Sequence, residues 1–515
     1  MLSLIKTAIF DRRSILKNIM EKHGAKTLYE YSRDFMDVNP SPRLDARKHE
    51  LIAVVEELTR NRLGEKTARE VASQLTKLSL ISTADHHGFI DHPFWVNSNI
   101  ISALPMVASN NPDLRHLVVF SFASVSLNNA SAYPRGVEFH GGWGNFVRLP
   151  LLPDKLKMGV VYATRGFDVK DIERAKSEIR RLIKEGKIMM NRSEEIVQIL
   201  QKFFETSEVL NSPDLNSQIT RVNFSLWPKF FHPEISKDTF SLSHTFPQRF
   251  PDLVYLEIET IVREVLVRYH LFQPDSLLYR LLFHPDYRTL ALKLFDSIPG
   301  AFSFRREWGS YMFWGLDAKN HRVRLRPING TLQSYNEQIV IPFTPEGIAR
   351  SLRDKKIFPG MLLCYLVVSL YYGMKCLGGF CQVHDLTMTK RAWIEFLKRT
   401  GENDEAKAVD PVQTKELGGD GMVLAYIQTS KGGLTPATGF DMIMKRGDTS
   451  FERYAEVAKH ITLQEAMLPL FPEMYTVLYP IHDRVPALAG LSPEQILATT
   501  ELQDHLKYCL YEAVV

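Results

Sequence analysis

The chain has 515 residues, more than one ordinary hydrophobic core accommodates and enough for two or three. With 45% apolar and 24% charged residues, its composition is that of a soluble globular protein, which excludes a disordered one. A formal net charge of +4 spread over so large a surface excludes a global field that recruits nucleic acid or anionic membrane, so any basic site must be local.

Residues 1–80 read as a helical N-terminal segment, in which EKTAREVASQLTKL sets Ala68, Val71, Leu75 and Leu78 at helical spacing. The stretch 81–167 reads as a small α/β unit built around one sheet, with LRHLVVFSFASVSL as a buried strand and β character continuing through FVRLPLLP and MGVVYATRG. Residues 168–298 read as a helical region that opens on Asp168 as N-cap, ends its first helix at Gly186 and caps its second with Ser193. Residues 299–400 read as a β-hairpin turning near Asp317–Asn320, followed by a long buried apolar helix. Residues 401–515 read as a polar loop, a lid candidate over 401–421, and a C-terminal helical region containing a capping box from Thr462 to Glu465. The fold class predicted is α+β, largely helical with one or two modest mixed sheets.

The most apolar window, residues 359–374, falls short of the about 20 residues that span a bilayer, and the N-terminus lacks the charged-then-apolar order of a secretory signal. Cys364, Cys376, Cys381 and Cys509 form no C-x-x-C pair, which points to a reduced, cytoplasmic protein.

Chemistry concentrates in STADHHGFIDHPFW, where Asp85, His86, His87, Asp91 and His92 follow an apolar run and Gly88 allows a sharp turn. Imidazole and carboxylate together suit acid–base work near neutral pH or a divalent Zn, Fe or Mn ion. A second patch, SLNNASAYPRGVEFHGGWGN, offers Asn128, Asn129, Arg135, Glu138 and His140. If the strand over 114–127 lies beside LSLIST, its end could bring His140 near His86 and His87. Adjacent histidines point apart on a strand, however, so one metal facing both requires an irregular loop. Asp85, His86, His87 and His140 are the candidate metal ligands. Those four with His92 and Glu138 are the candidate catalytic groups, while Asn97, Asn128, Asn129 and Arg135 would orient a substrate.

The apolar run followed by Asp85, His86 and His87 resembles the signature of the DHH phosphoesterases, which use manganese to cleave phosphoester bonds. Only those three residues carry the likeness. The family's strand-borne Asp-x-Asp motif and glycine-rich C-terminal motif have no counterpart here, and Asp34 and Asp37 do not supply the first. No membership is read from it.

In HRVRLRP, strand alternation sets Arg322, Arg324 and Arg326 on one side. The row suits an anionic ligand, although a solvated face with salt bridges to nearby acids is the commoner arrangement. Double glycines in FHGGWGN, CLGGFCQ and ELGGDG match neither phosphate-binding fingerprint, and no nicotinamide or flavin motif occurs. KCLGGFCQVHDL could set Gln382, His384 and Asp385 for substrate contacts. The sequence thus predicts a soluble enzyme acting on a small polar, anionic substrate by hydrolysis or group transfer, with no nucleic-acid partner and no membrane span. The alternative is a non-catalytic binding or scaffold protein using its helical surface.

Overall fold

In the computed structural model, residues 1–109, 111, 113–142, 145–231, 250–335, 337–428, 433–444, 451–506 and 510–511 are described. The strands as far as residue 377 are, in chain order, β1 (Leu80–Ser82), β2 (His116–Ser121), β3 (Gly136–His140), β4 (Phe146–Pro150), β5 (Asp252–Glu257), β6 (Phe302–Ser303), β7 (Trp308–Gly309), β8 (Phe313–Leu316), β9 (Arg322–Ile328), β10 (Thr331–Ser334), β11 (Val340–Pro342), β12 (Ile357–Pro359) and β13 (Lys375–Leu377). Helices make up most of the rest, so the α+β class holds.

The central sheet is parallel throughout and runs in the order β13, β1, β2, β5. Successive side chains point to opposite faces, and here both faces are covered. Leu117, Val119, Leu253 and Tyr255 enter one apolar core with the helix Pro93–Ala108, whereas Val118, Phe120, Val254 and Leu256 enter a second with the helix His49–Leu63. Two cores on either side of one sheet answer the expectation from chain length. The segment 81–167 supplies most of β1, the whole cross-over and β2; β5 and β13 come from far downstream.

Several local readings change. DLVYLE lies in a stretch expected to be helical, yet it forms β5, since a strand buried on both faces shows no alternation to read. MGVVYATRG carries a short 3₁₀ turn at Val161–Ala163 in place of a strand. The apolar window forms the short helix Met361–Tyr365, widens into a π-type turn at Leu366–Tyr371 and ends before β13, so it is not one long helix. The helix expected to be capped by Ser193 already starts at Met190, and the polar stretch 401–421 contains the helix Asn403–Val409.

Other local signals are met. The Asp168 carboxylate accepts from the N–H of Asp171, and Thr462 and Glu465 make a reciprocal capping box. The hairpin β8–β9 turns at residues 317–321, as read, and belongs to a five-stranded antiparallel sheet ordered β11, β10, β9, β8, β12.

Arg62 locks the helix His49–Leu63 to the end of β5 through a two-pronged ion pair with Glu257, at 2.5 and 2.6 Å. Burial opposes ionisation of Glu257, but the Arg62 guanidinium holds its pKa down at about 2. Cys364, Cys376 and Cys381 are free thiols, and Cys509 lies outside the described residues. Among the described residues no helix is long and apolar enough to cross a membrane.

Candidate functional site

In an open parallel sheet the carboxyl ends of the strands leave room for a ligand, because the chain turns away there into loops of free geometry. A cavity of about 420 Å³ occupies this position. Thr83, Ala84 and His86 reach it from the end of β1, Phe122 and Ser124 from the end of β2, and the stretch from Gly379 to Gln382 from the end of β13. Trp308 of β7, Trp314 of β8 and Arg322 of β9 close another side, and Asp385, Asp420 and Glu473 complete the lining with Trp95.

Two of the double glycines bring this wall together. The N–H of Gly378 donates to the carbonyl of Glu416, and the N–H of Gly418 donates back to Gly378. The Asp420 carboxylate then lies so close over Gly379 that a Cβ there would sit 2.1 Å from its Oδ2. Glycine at 379 is therefore a requirement of close approach, not of phosphate binding.

His86 is held in one tautomer. Asn129 Oδ1 accepts from the N–H of Ser131 at 3.0 Å, which fixes the amide orientation, and it lies 3.2 Å from His86 Nδ1. Nδ1 is therefore the protonated nitrogen, and the Nε2 lone pair has no partner among the described residues at the cavity wall. Burial lowers the His86 pKa to about 4, with Arg322 adding to the effect, so the ring is neutral at physiological pH. The three carboxyls shift the other way. Burial raises Asp385 to about 6 despite the nearby Arg13, and leaves its Oδ1 without a hydrogen-bond partner. Burial, then the proximity of Glu473 and Asp85, raises Asp420 well above its ordinary value. Glu473 is raised by burial, against a 2.8 Å hydrogen bond from Ser131. A neutral imidazole and three carboxyls whose pKa values burial raises thus border one space.

The other residues singled out from sequence lie elsewhere. Asp85 turns away from the cavity and accepts from Ser98 Oγ at 3.0 Å and Asn99 Nδ2 at 2.6 Å, which pins the loop to the helix Pro93–Ala108. His87 points opposite to His86, stacks on Tyr255, and engages Ser121 Oγ at 2.7 Å and the Asn216 carbonyl at 3.3 Å. His92 caps the helix by accepting from the N–H of Phe94 at 3.3 Å. Glu138 accepts from Arg148 Nε at 2.7 Å and is packed against Asp91, whose Oδ2 accepts from the Glu138 N–H. Burial raises Glu138 to about 7.

His140 does not approach His86, although β2 does lie beside β1 as anticipated. It sits on β3, which pairs with β4, and bonds to Asp441 at 2.6 Å. Burial opposes the charge on Asp441, but His140 and Thr438 hold it at about 2. Asp85, His86, His87 and His140 accordingly do not converge. Among the described residues no group of three or more His, Cys, Asp or Glu side chains is placed to hold a metal ion.

The substrate-orienting set divides in the same way. Asn129 positions His86, whereas Asn97 accepts from the N–H groups of Leu424 and Ala425 inside the core. Asn128 is exposed, and Arg135 pairs with Asp154 at 2.9 Å. The arginine row lies on one face as read, but among the described residues the salt bridges expected there are not formed. Arg322 stacks over Trp314 at 4.4 Å, and Arg324 and Arg326 each lie 4.6 Å from the centre of the Tyr335 ring. Asp420 and Glu473 were not singled out; a carboxylate after a double glycine was the one available signal for the first, and LFPEM carries none for the second. The chain matches no family model, and no curated protein matches it.

Proposed function

We propose that the chain is an enzyme that carries out hydrolysis or group transfer on a small polar substrate in the cavity at the strand ends, by acid–base catalysis. The observation that carries this reading is the opposed shift of groups around one space: a neutral His86 whose Nε2 has no partner among the described residues, and carboxyls that burial makes weaker acids, Asp385 at about 6 and Asp420 well above its ordinary value. His86 Nε2 accepts the proton of the attacking water or hydroxyl, and Asp385 donates one to the leaving group. Asn129 is a positioning residue, since it acts by holding the tautomer of His86. Trp95, Trp308 and Trp314 supply flat apolar walls for the rest of the substrate, and closing it between them excludes water from the reacting groups. The reading uses side chains alone. A reducing, cytoplasmic setting suits the three free thiols.

The test is a panel of nitrophenyl esters, phosphates and glycosides offered to the full-length protein. Turnover of at least one is expected, rising as pH passes about 4, where His86 becomes neutral, and falling above about 6, where Asp385 ionises. His86→Ala is expected to remove the rising limb with most of the activity, and Asp385→Asn the falling limb. No turnover across the panel, or turnover that both variants retain, refutes the reading.

A further inference from the structure

Many arginines of this molecule that are held against the fold are neutralised by carboxylates: Arg43 and Arg47 by Glu405, Arg62 by Glu257, Arg165 and Arg174 by Asp171, Arg268 by Glu57. The row on β9 is not paired in this way. Arg322, Arg324 and Arg326 alternate with Val323 and Leu325, and Trp314 stands directly opposite Arg324 in the register, so all three guanidinium groups share the face that carries the cavity wall. Among the described residues none of the three has a carboxylate partner. Arg324 Nη1 and Arg326 Nε are shut off from solvent without a hydrogen-bond acceptor. Arg305 and Arg306, on the turn that leads into Trp308, are exposed and make no ion pair among the described residues either.

Three like charges held side by side on aromatic rings repel one another; the field of the buried Glu259 reaches Arg322, but no carboxylate among the described residues pairs with any of the three. The arrangement becomes favourable when an anion with more than one charge lies along it. Guanidinium forks match the oxygens of phosphate in a two-pronged way, and the rings beneath them hold the forks flat and ordered in advance. One end of the row, Arg322, already lines the cavity. We propose that Arg322, Arg324 and Arg326 form a phosphate-binding ladder, and that the substrate is a phosphorylated or pyrophosphorylated small molecule whose uncharged end enters the cavity. This assignment rests on the cavity being the active site, and it names the class of substrate.

Inorganic pyrophosphate serves as the probe, titrated into the full-length protein at low salt and followed by calorimetry and by tryptophan fluorescence, since Arg322 lies on Trp314. Saturable binding is expected, weakening as salt is added. The double variant Arg324→Gln, Arg326→Gln is expected to bind at least tenfold more weakly with an unchanged circular dichroism spectrum, while Arg181→Gln, which removes a paired arginine on a distant helix, binds as the wild type does. Absence of binding at millimolar pyrophosphate, or equal weakening by Arg181→Gln, overturns the ladder. So does a single-stranded oligonucleotide that binds more tightly than pyrophosphate, because the row would then be a surface for nucleic acid. His86→Ala separates the two readings. If it retains pyrophosphate binding while turnover is lost, both stand. If pyrophosphate fails to bind the wild type but turnover still depends on His86, only the ladder falls; if pyrophosphate binds through the row but no turnover depends on His86, the catalytic reading falls.

Discussion

Replacing Asp85 by Asn separates a structural role for this residue from a catalytic one. Its carboxyl is fully buried, and burial, opposed by the bonds from Asn99 and Ser98, carries the pKa from 3.8 to about 7. Between those values the folded chain holds a proton that the unfolded chain has already released. The folded state therefore binds more protons, and stability falls as pH rises from about 4 to about 7. At about 1.4 kcal/mol per pH unit the loss from this one group is about 4 kcal/mol. Asn keeps the shape and both hydrogen bonds: its Oδ1 accepts from Asn99, and its Nδ2 donates to Ser98 Oγ, which still donates to the Trp95 carbonyl 3.2 Å away. The assay is chemical denaturation of both proteins at intervals from pH 4 to pH 8. Midpoints are expected to coincide near pH 4 and to separate steadily in favour of Asp85→Asn above it. Midpoints that stay parallel across the range refute the assignment of Asp85 as a buried, proton-holding latch. Ligand binding in the cavity is expected to survive the change, because Asp85 does not line it.

Arg62→Met leaves Glu257 charged, buried and unpaired, and is expected to cost about 3–5 kcal/mol in denaturant unfolding. Adding Glu257→Leu should recover most of that loss, and a double variant no better than the single one counts against the ion pair as the cause. Gly379→Ala places a methyl group 2.1 Å from Asp420 Oδ2 and must push that carboxylate aside. Turnover of any panel substrate is expected to fall at least tenfold with little change in the denaturation midpoint. Unchanged turnover would remove Asp420 from the site.

The stretch 82–95 was legible as a place of interest, and one of its three histidines does line the cavity. What could not be read was which one. His86 and His87 are neighbours in sequence and point to opposite sides, one to open space and one onto Tyr255, and composition cannot distinguish them. The density of Asp and His there had more than one cause: Asp85 fastens a loop, His92 caps a helix, and Asp91 and Glu138 form a separate buried pair. Asp420 and Glu473 join His86 across more than three hundred residues of chain. No local pattern announces such a meeting.

By itself the amino-acid order determined the features that depend on near neighbours: the caps at Asp168 and Thr462, the turn of the β8–β9 hairpin, the buried strand β2, and the one-sided row of arginines on β9. Each follows from backbone hydrogen bonding or side-chain alternation within a few residues. Tertiary structure alone decided the strand order β13, β1, β2, β5, and with it which loops meet at the carboxyl ends. Strands buried on both faces are uniformly apolar, so their sequences carry little information about their neighbours. The site inherits that dependence, because its shifted protonation comes from burial, and burial is a property of the assembled fold.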